Sequence, residues 1–385
     1  MHFSKEVLAY IQKNEKADIF KLVLKKSPFE EYSMKQLVQQ IQGIQIARSK
    51  FPSLLKFPQY IFPPKISLEQ ASSEKTAIFK SKLIDGKSFL DLTGGMGIDT
   101  YFMSRNFQEV TYVEKDESLF KSTNQNFITL GLVVKGFNTK AEEFLSSTTK
   151  KYDTIFIDPS RRVQGQKRIS IDNCLPNIVE IQKLLLEHGN EVLIKLSPMQ
   201  DLSELLNKLD DVTNIYIVAD GWDVKELLVK LNKADSNKIY YSAVDVHTDH
   251  IHTALKDHVD ISYVQPLHYI YQPHPTLVKA DLQDAYSNNL SLQKIHPNTQ
   301  LYTSDSLVEN YFGRVFEVVS LNEINKKTIT SFTDNKAINV ISKNYPLSAS
   351  DLKKKYKVKD GGDFYLLAFT GLNEEKYQSI CKRIS

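Results

Sequence analysis

The stretch SFLDLTGGMGIDT, residues 88–100, joins a short apolar run to three glycines that lie between two acidic residues. The apolar run predicts a buried strand ending at Asp91, and the glycines predict a tight turn into a helix. Glycine backbone at such a turn lets a ligand approach closely, as in nucleotide-binding α/β folds. We therefore expect a nucleotide-like ligand at the end of this strand.

Two classes of protein use a turn of this kind. A dinucleotide-dependent oxidoreductase has GxGxxG, with the pyrophosphate on the helix N-terminus. Here GGxG follows Asp91, whose carboxylate would repel a pyrophosphate but would suit a cationic group. S-adenosylmethionine carries an ammonium group, and its ribose needs a second acceptor about 20 residues later, at the end of the next strand. Glu114, in TYVEKD, occupies that position.

The composition is that of an ordinary globular chain. It has 385 residues, 41% of them hydrophobic and 25% charged, which predicts two or more domains. No run of about 18 apolar residues occurs, so we expect no membrane span and a cytoplasmic protein. Cys174 and Cys381 are too far apart in sequence for a disulfide framework or a paired-cysteine metal site. A net charge of +3 does not by itself indicate nucleic-acid binding.

The hydrophobic pattern predicts three domains. Residues 1–62 have apolar positions three and four apart, typical of a helical domain. Residues 63–260 begin with one further helix, LEQASSEKTAIFKSKLI, and then alternate apolar runs with helical stretches, which predicts a mostly parallel sheet covered on both faces. Residues 261–385 follow a segment rich in proline and tyrosine, and their irregular mixture of patterns predicts a separate α+β domain.

The glycine segment resembles a known motif. DLTGGMG is similar to the first motif of class I S-adenosylmethionine-dependent methyltransferases, Asp-x-Gly-x-Gly-x-Gly, except that a threonine replaces the first glycine. Glu114 resembles the ribose-binding acid after strand 2, and NTKAEEFL resembles the segment whose alanine backbone meets the adenine edge, with Lys140 where an acid is usual. The resemblance implies a cofactor site formed by Asp91, Thr93, Gly95, Gly97, Glu114, Lys115, Ala141 and Asp158.

A second segment resembles the motif that holds the methyl acceptor. IFIDPSRR, residues 155–162, is similar to the strand 4 motif Asp-Pro-Pro-Tyr of amino-group methylases. The resemblance implies that Asp158 and the Pro159 carbonyl accept hydrogen bonds from the target amine, within a catalytic group that also includes Ser160 and Arg161. Neither of these two can stack on a flipped base as the usual aromatic residue does. Arg161 could stack its guanidinium plane or hold a phosphate instead.

Together with EQASSE, KLSP and residues 344–367, these motifs look like a bacterial family of class I methyltransferases with a C-terminal THUMP-like domain. The resemblance covers about residues 65–385. It implies an α/β fold with a Rossmann-like seven-stranded sheet, preceded by helices and followed by a small α+β (THUMP-like or ferredoxin-like) domain. It also implies methylation of a base in structured RNA, rRNA or tRNA. A small-molecule or protein methylase and a non-catalytic RNA-binding protein remain alternatives.

Two basic clusters permit more than one interpretation. Arg161 and Arg162, with two cations shortly after them, form either a solvated loop or a phosphate site. In the stretch 351–362, lysines surround Tyr356 and precede a DGG stop signal, as at an ordinary helix end. Five lysines in seven residues also suit phosphate contact, and we favour RNA binding by Lys353, Lys354, Lys355, Lys357 and Lys359.

Two further groups need a partner or a ligand. Lys195 interrupts a strand that should be buried, and we expect Asp158 to pair with it, as a structural pair or as part of the site. The segment 245–258 contains four histidines, but their spacing matches no familiar zinc pattern. We therefore expect a polar hairpin or loop there and no metal.

Overall fold

The computed structural model describes residues 2–161, 170–233, 238–322, 324–333 and 337–384. The chain divides into two compact units. The first consists of Met1–Gly221, Lys225–Ile239 and Val246–Thr248, and the second consists of Trp222–Val224, Tyr240–Asp245 and Asp249–Ser385. The predicted helical segment 1–62 therefore lies within the first unit.

The first unit begins with the helices that the sequence predicts, and they pack around Leu37 and Ile41. The stretch predicted as one further helix forms two, because Ala71 is extended and the Ser73 hydroxyl caps the second by accepting from the Thr76 N–H at 3.3 Å. The helices are α1 Lys5–Lys13, α2 Ile19–Leu22, α3 Met34–Lys50, α4 Lys65–Gln70, α5 Glu74–Ser81, α6 Ile98–Met103, α7 Glu117–Thr129, α8 Ala141–Ser147, α9 Ile178–His188 and α10 Leu202–Leu206.

The sheet of the first unit contains β1 Ser88–Asp91, β2 Glu109–Val113, β3 Lys135–Phe137, β4 Tyr152–Ile157, β5 Gly189–Leu196, β6 Val212–Asp220 and β7 Asp223–Leu231. Its described strands follow the order β3-β2-β1-β4-β5-β7-β6. The strands from β3 to β5 are parallel, and β7 is antiparallel to β5. The carboxyl ends of β1, β2 and β4 therefore meet at one edge, where such sheets bind ligands.

The second unit is α+β, as predicted. Its strands are β8 Tyr240–Asp245, β9 His250–Leu255, β10 Tyr269–Pro273, β11 Gln293–His296, β12 Thr299–Ser304, β13 Gly313–Leu321, β14 Asn339–Lys343, β15 Phe364–Thr370 and β16 Lys376–Arg383. Its helices are α11 Pro275–Ala280, α12 Gln283–Asn289, α13 Lys326–Phe332 and α14 Ala349–Tyr356. One sheet has the order β11-β12-β10-β13-β16-β15-β14, while β8 and β9 pair as an antiparallel hairpin.

None of the helices within the described ranges has the length and apolar character needed to cross a membrane.

Candidate functional site

The glycine loop between β1 and α6 has a backbone that only glycine adopts easily. Gly95 and Gly97 have φ angles of +54° and +78°, in the left-handed region. A Cβ atom on Gly94 would lie 2.0 Å from the Tyr112 ring, whereas a Cβ on Gly95 would meet nothing nearer than the Thr93 carbonyl oxygen at 3.9 Å. Gly94 is thus required by packing, and Gly95 borders open space that a ligand can enter.

Asp91 stabilises this loop through hydrogen bonds. Its carboxylate is fully buried and accepts hydrogen bonds from the Thr93 N–H at 3.1 Å and the Thr100 hydroxyl at 2.6 Å. Burial raises the pKa of Asp91 to about 7, because removing the carboxylate from water disfavours its charged form. The residue braces the loop through both oxygens, and its contact with the ammonium group of a cofactor stays a prediction.

Glu114 is fixed to the same loop from the end of β2. Its carboxylate accepts from the Gly95 N–H at 2.9 Å and from the Asp116 N–H at 2.8 Å. The Gly95 carbonyl oxygen in turn accepts from the Tyr112 hydroxyl at 2.6 Å and the Thr123 hydroxyl at 3.0 Å. Since each carboxylate oxygen has two lone pairs, Glu114 can still accept from a ribose hydroxyl.

The other predicted cofactor residues lie at the ends of β2 and β3. Lys115 is exposed, and Ala141 is the buried first residue of α8. Asn138, which no sequence motif predicted, donates from its side-chain amide to the backbone carbonyl oxygens of Glu114 at 2.7 Å and Lys115 at 3.2 Å. This amide ties the ends of the two strands together beside the glycine loop.

Asp158 at the end of β4 is linked to both neighbouring strands. Its backbone N–H donates to the Thr93 hydroxyl at 2.6 Å, which gives a role to the threonine that replaces a motif glycine. The Lys195 ammonium donates to the Asp158 carboxylate at 2.5 Å, so the predicted pair is confirmed. Burial alone would lower the pKa of Lys195, but the carboxylates of Asp158, Asp99 and Glu226 together raise it above its ordinary value. Asp158 therefore faces a permanent cation.

A second buried ionic cluster, which no sequence motif predicted, lies at this edge. The fully buried Lys80 ammonium donates to the two Glu226 carboxylate oxygens at 2.7 and 2.9 Å and to the Ser72 hydroxyl at 2.9 Å. Ser72 donates to Asp99 at 2.7 Å, and Lys80 lies 3.1 Å from the other Asp99 oxygen. Burial would raise the pKa of Asp99, yet Lys80 and Lys195 hold it below its ordinary value. Asp99 thus connects the two lysines electrostatically.

The residues after Asp158 are described only in part. Ser160 and Arg161 pair with Leu175 and Cys174 in a short antiparallel bridge, and the Ser160 hydroxyl donates to the Leu175 carbonyl oxygen at 3.3 Å. The side chain of Arg161 lies outside the described part of the chain, and so do Arg162, Lys167 and Arg168. The predicted phosphate contact of this cluster stays a prediction.

In the second unit, the lysine-rich segment lies at the end of α14. The helix ends at Tyr356, and Lys357 follows with φ +56°, so the chain leaves the helix before DGG. Tyr356 is buried, with its hydroxyl donating to the side-chain amide oxygen of Gln378 at 2.6 Å. Lys353 pairs with Asp360 at 2.5 Å. Four lysines of this segment are exposed and are here called the lysine patch: Lys354, Lys355, Lys357 and Lys359.

The histidine segment forms the β8–β9 hairpin. His250 stacks on Phe312 with ring centroids 4.1 Å apart, and His252 meets Tyr286 edge-on at 4.8 Å. Burial lowers the pKa of both histidines. Within the described ranges, no group of three or more histidine, cysteine or acidic side chains is arranged to hold a metal ion.

Comparison with known families divides the chain into three matched segments. Residues 72–215 match a model described as conserved hypothetical protein 95, residues 269–311 match a ferredoxin-like domain, and residues 313–383 match a THUMP domain-like model. The chain has no significant match among curated proteins.

Solved structures resemble the chain to different extents. A candidate methyltransferase from Porphyromonas gingivalis W83 is 25% identical, with all of both chains covered and a TM-score of 0.88. An rRNA methylase from Streptococcus thermophilus is 16% identical, covers 42% of this chain and 94% of its own, and has a TM-score of 0.32. TrmK of M. capricolum, in complex with S-adenosyl-homocysteine, is 14% identical, covers 43% of this chain and 70% of its own, and has a TM-score of 0.33.

The fold is therefore methyltransferase-like α/β, followed by a C-terminal region with ferredoxin-like and THUMP-like parts. The sequence predicted this fold class.

Proposed function

We propose that the protein is an S-adenosylmethionine-dependent methyltransferase that acts on a base in structured RNA. The proposal depends on one observation, the open glycine loop at a single edge of the sheet. The Glu114 carboxylate accepts a hydrogen bond from the N–H of this loop, and the Thr93 hydroxyl of the same loop accepts one from the Asp158 backbone N–H. The residues expected to bind the cofactor thus lie next to the residue expected to hold the methyl acceptor. The P. gingivalis protein, which resembles the chain over its whole length, is described as a candidate methyltransferase.

The residues at this edge fit the cofactor. Gly95 leaves room for close approach of a ligand, and Glu114 can accept hydrogen bonds from a ribose. Ala141 is the first residue of α8, the helix that follows β3, and its backbone would meet the adenine. When bound, S-adenosylmethionine supplies an electrophilic methyl group, so the chain itself must chiefly position the acceptor.

Asp158 is the group that holds the acceptor. The Lys195 ammonium donates to the Asp158 carboxylate at 2.5 Å, and a carboxylate paired with a lysine accepts hydrogen bonds but has none to donate. The acceptor must therefore present an N–H or O–H group, and the amino group of a base does so. The Pro159 carbonyl oxygen is a second acceptor for the same amine. We assign to the same carboxylate the proton that the amine loses after methylation.

The C-terminal region supports RNA as the substrate. It matches a THUMP domain-like model and carries the lysine patch on its surface. Exposed lysines contact backbone phosphates without reading base sequence. The methylated base would then be selected by RNA structure, as in rRNA or tRNA.

Two measurements test the enzyme. S-adenosylmethionine should raise the melting temperature of the full-length protein, and NAD should not. The wild-type protein should transfer radiolabelled methyl from S-adenosylmethionine to one size class of fractionated bacterial RNA. Asp158→Ala should abolish this transfer while cofactor affinity stays within about tenfold, because the residue acts on the acceptor.

Glu117→Gln, an exposed carboxylate on α7, is the matched control and should retain transfer. A large loss of cofactor binding in Asp158→Ala would reassign that residue to the cofactor site. Cofactor binding without label in any RNA would favour a small-molecule or protein acceptor.

The lysine patch has a separate test. Changing its four residues to Gln should weaken RNA binding and lower the slope of log affinity against log salt by up to about 3, because each released phosphate contact contributes about 0.7. The control replaces four exposed lysines of the first unit, which removes the same charge: Lys13, Lys21, Lys25 and Lys26. Equal salt slopes in the patch variant and the wild type would show that the lysine patch does not contact RNA.

A further inference from the structure

The segment EQASSE, residues 69–74, is bonded to the helix that follows the glycine loop. The buried Ser72 hydroxyl donates to the Asp99 carboxylate at 2.7 Å and accepts from the Lys80 ammonium at 2.9 Å. Lys80 lies 3.1 Å from the other Asp99 oxygen and donates to the Glu226 carboxylate on β7. Because Asp99 lies in the first turn of α6, these contacts attach the start of that helix to α5 and to the sheet.

The first turn of α6 needs such an attachment. The helix contains six residues, and a helix of this length is not stable by itself in water. Its N-cap is Gly97, which has no side chain to accept from the free N–H groups of the first turn. The position of the turn therefore depends on contacts with other elements.

Hydrogen bonds connect this turn to the groups of the candidate site. Thr100, next to Asp99, donates its hydroxyl to the Asp91 carboxylate at 2.6 Å, and Asp91 accepts from the Thr93 N–H at 3.1 Å. The Thr93 hydroxyl accepts from the Asp158 N–H at 2.6 Å. A displacement of the first turn of α6 would thus be transmitted to the glycine loop and to the end of β4.

The chemistry of the cluster suits a precise position better than it suits stability. Well-packed apolar residues of similar volume often stabilise a protein as much as a buried ion pair does, because charges lose their hydration on burial. Hydrogen bonds, in contrast, are directional, and a fully bonded polar network specifies a single arrangement of the elements that it joins. Lys80, whose side chain is fully buried, joins three such elements.

We propose that Ser72 and Lys80 are positioning residues, which hold the first turn of α6 so that the glycine loop keeps the conformation that binds S-adenosylmethionine. The identity of this ligand rests on the proposed function. Both side chains are buried and act through Asp99, without contact with the ligand. The apparent affinity for a ligand falls with the fraction of molecules in the binding conformation, so a loosened loop binds the cofactor more weakly.

The main variant is Ser72→Ala, which removes one hydroxyl and keeps every charge. Calorimetric titration of the full-length protein with S-adenosylmethionine is done at a temperature where each variant is shown to be folded by thermal unfolding. Ser72→Ala should weaken binding about tenfold, which corresponds to a binding-competent loop in about one tenth of the molecules. Lys80→Met should weaken it at least as much.

Steady-state kinetics separate positioning of the loop from damage to the acceptor site. In both variants KM for the cofactor should rise, while the rate at saturating cofactor stays within about threefold of the wild type. Saturating cofactor restores the binding conformation, because it binds that conformation alone.

Two control variants remove the same kinds of group at the other end of the sheet. The buried Thr154 donates its hydroxyl to the Asp85 carbonyl oxygen at 3.2 Å, and Lys230 pairs with Glu191 at 2.5 Å. Thr154 and Glu191 are register partners in the amino-terminal halves of β4 and β5. Thr154→Val and Lys230→Met should therefore leave cofactor affinity within about twofold, even where they lower the melting temperature as much as the main variants do.

Hydrogen exchange without ligand measures the loop itself. In the wild type the Tyr101 N–H donates to the Gly97 carbonyl oxygen at 2.8 Å, and the Gly97 N–H donates to the Gly94 carbonyl oxygen at 2.8 Å. These amides should exchange faster in Ser72→Ala, whereas amides of α9 should exchange as in the wild type. Unchanged exchange of Gly97 and Tyr101 would overturn the proposal, whatever the cofactor affinity.

The other outcomes are equally distinct. Cofactor affinity within about twofold of the wild type in both Ser72→Ala and Lys80→Met would overturn the positioning role. Equal losses of affinity in the main and control variants would show that the cluster supports the fold alone, and would also overturn it. A wild type that does not bind S-adenosylmethionine would refute the proposed function instead, and the exchange measurement would still test the attachment of α6.

Discussion

The carboxyl group of Asp91 should make the stability of the protein depend on pH in a defined direction. Its pKa is about 7 in the folded chain, against an ordinary value of 3.8, because the group is buried. The folded state therefore holds the proton more tightly than the unfolded chain does. For an acid with a raised pKa, this contribution makes stability fall as the pH rises from about 4 to about 7 and stay level above that.

The size of this effect follows from the two pKa values. A difference of about 3 pKa units corresponds to roughly 4 kcal/mol of lost stability at pH 8, and about half of that loss falls between pH 5.5 and pH 8. The isosteric change Asp91→Asn removes the titration. Its amide can accept from the Thr93 N–H and donate to the Thr100 hydroxyl oxygen, so both hydrogen bonds of the loop are kept.

Urea unfolding of the wild type and Asp91→Asn at pH 5.5 and pH 8 measures the difference directly. The variant should gain about 2 kcal/mol relative to the wild type on going from the lower to the higher pH. Parallel pH dependence of the two proteins would contradict a raised pKa of Asp91. It would mean that the carboxylate stays ionised in the folded chain throughout this range.

The same carboxyl group tests where the cofactor lies. A cationic ammonium group close to Asp91 would lower the pKa of that residue, so cofactor binding near pH 7 would release a fraction of a proton. Calorimetric titrations in two buffers with different ionisation enthalpies measure this release, and Asp91→Asn should abolish it. Binding without proton release would leave Asp91 as a support for the loop alone.

Two further changes test the ionic clusters and the threonine of the glycine loop. Lys80→Met leaves the Glu226 and Asp99 carboxylates buried without their cation, and it should lower the free energy of unfolding by about 3–5 kcal/mol in urea titrations; an unchanged midpoint would show that these carboxylates are protonated or hydrated. Thr93→Val removes the acceptor of the Asp158 N–H and should cost about 1–3 kcal/mol and reduce methyl transfer, with Thr93→Ser restoring both. A serine variant as impaired as the valine variant would show that the methyl group of Thr93 matters and the hydroxyl does not.

Local sequence patterns predicted the parts of the site that follow single strands. The glycine loop, Glu114 and Asp158 each come at the end of an apolar run, and parallel strands bring such ends to one edge. The strand β7 was not predicted, although it lies between β5 and β6 in the sheet. Its segment DVKELLVKL has charged residues among its apolar ones, and β-strand pairing on both sides, which the sequence does not show, fixes its conformation.

The buried ionic clusters could not be predicted as a whole. Lys80 and Glu226 are 146 residues apart, and each lies in an element whose pattern predicts only its own secondary structure. A lysine on the buried side of a short helix was the one available signal, because a buried cation requires a partner. Lys195 is likewise a lysine at a position expected to be buried, and its partner Asp158 was predicted because that aspartate belongs to a recognisable motif on the neighbouring strand.

The fold class, the position of the glycine loop and the order of the strand-end residues could be predicted from the sequence, because they depend on short-range periodicity and on backbone conformations that glycine alone adopts easily. The contacts of the side chains, in contrast, are set by the packing of the folded chain. This packing buried both oxygens of Asp91 in the loop and joined Lys80 and Lys195 through Asp99. Such contacts depend on distances between residues far apart in the chain, and these distances are fixed when the sheets and helices pack and water is excluded.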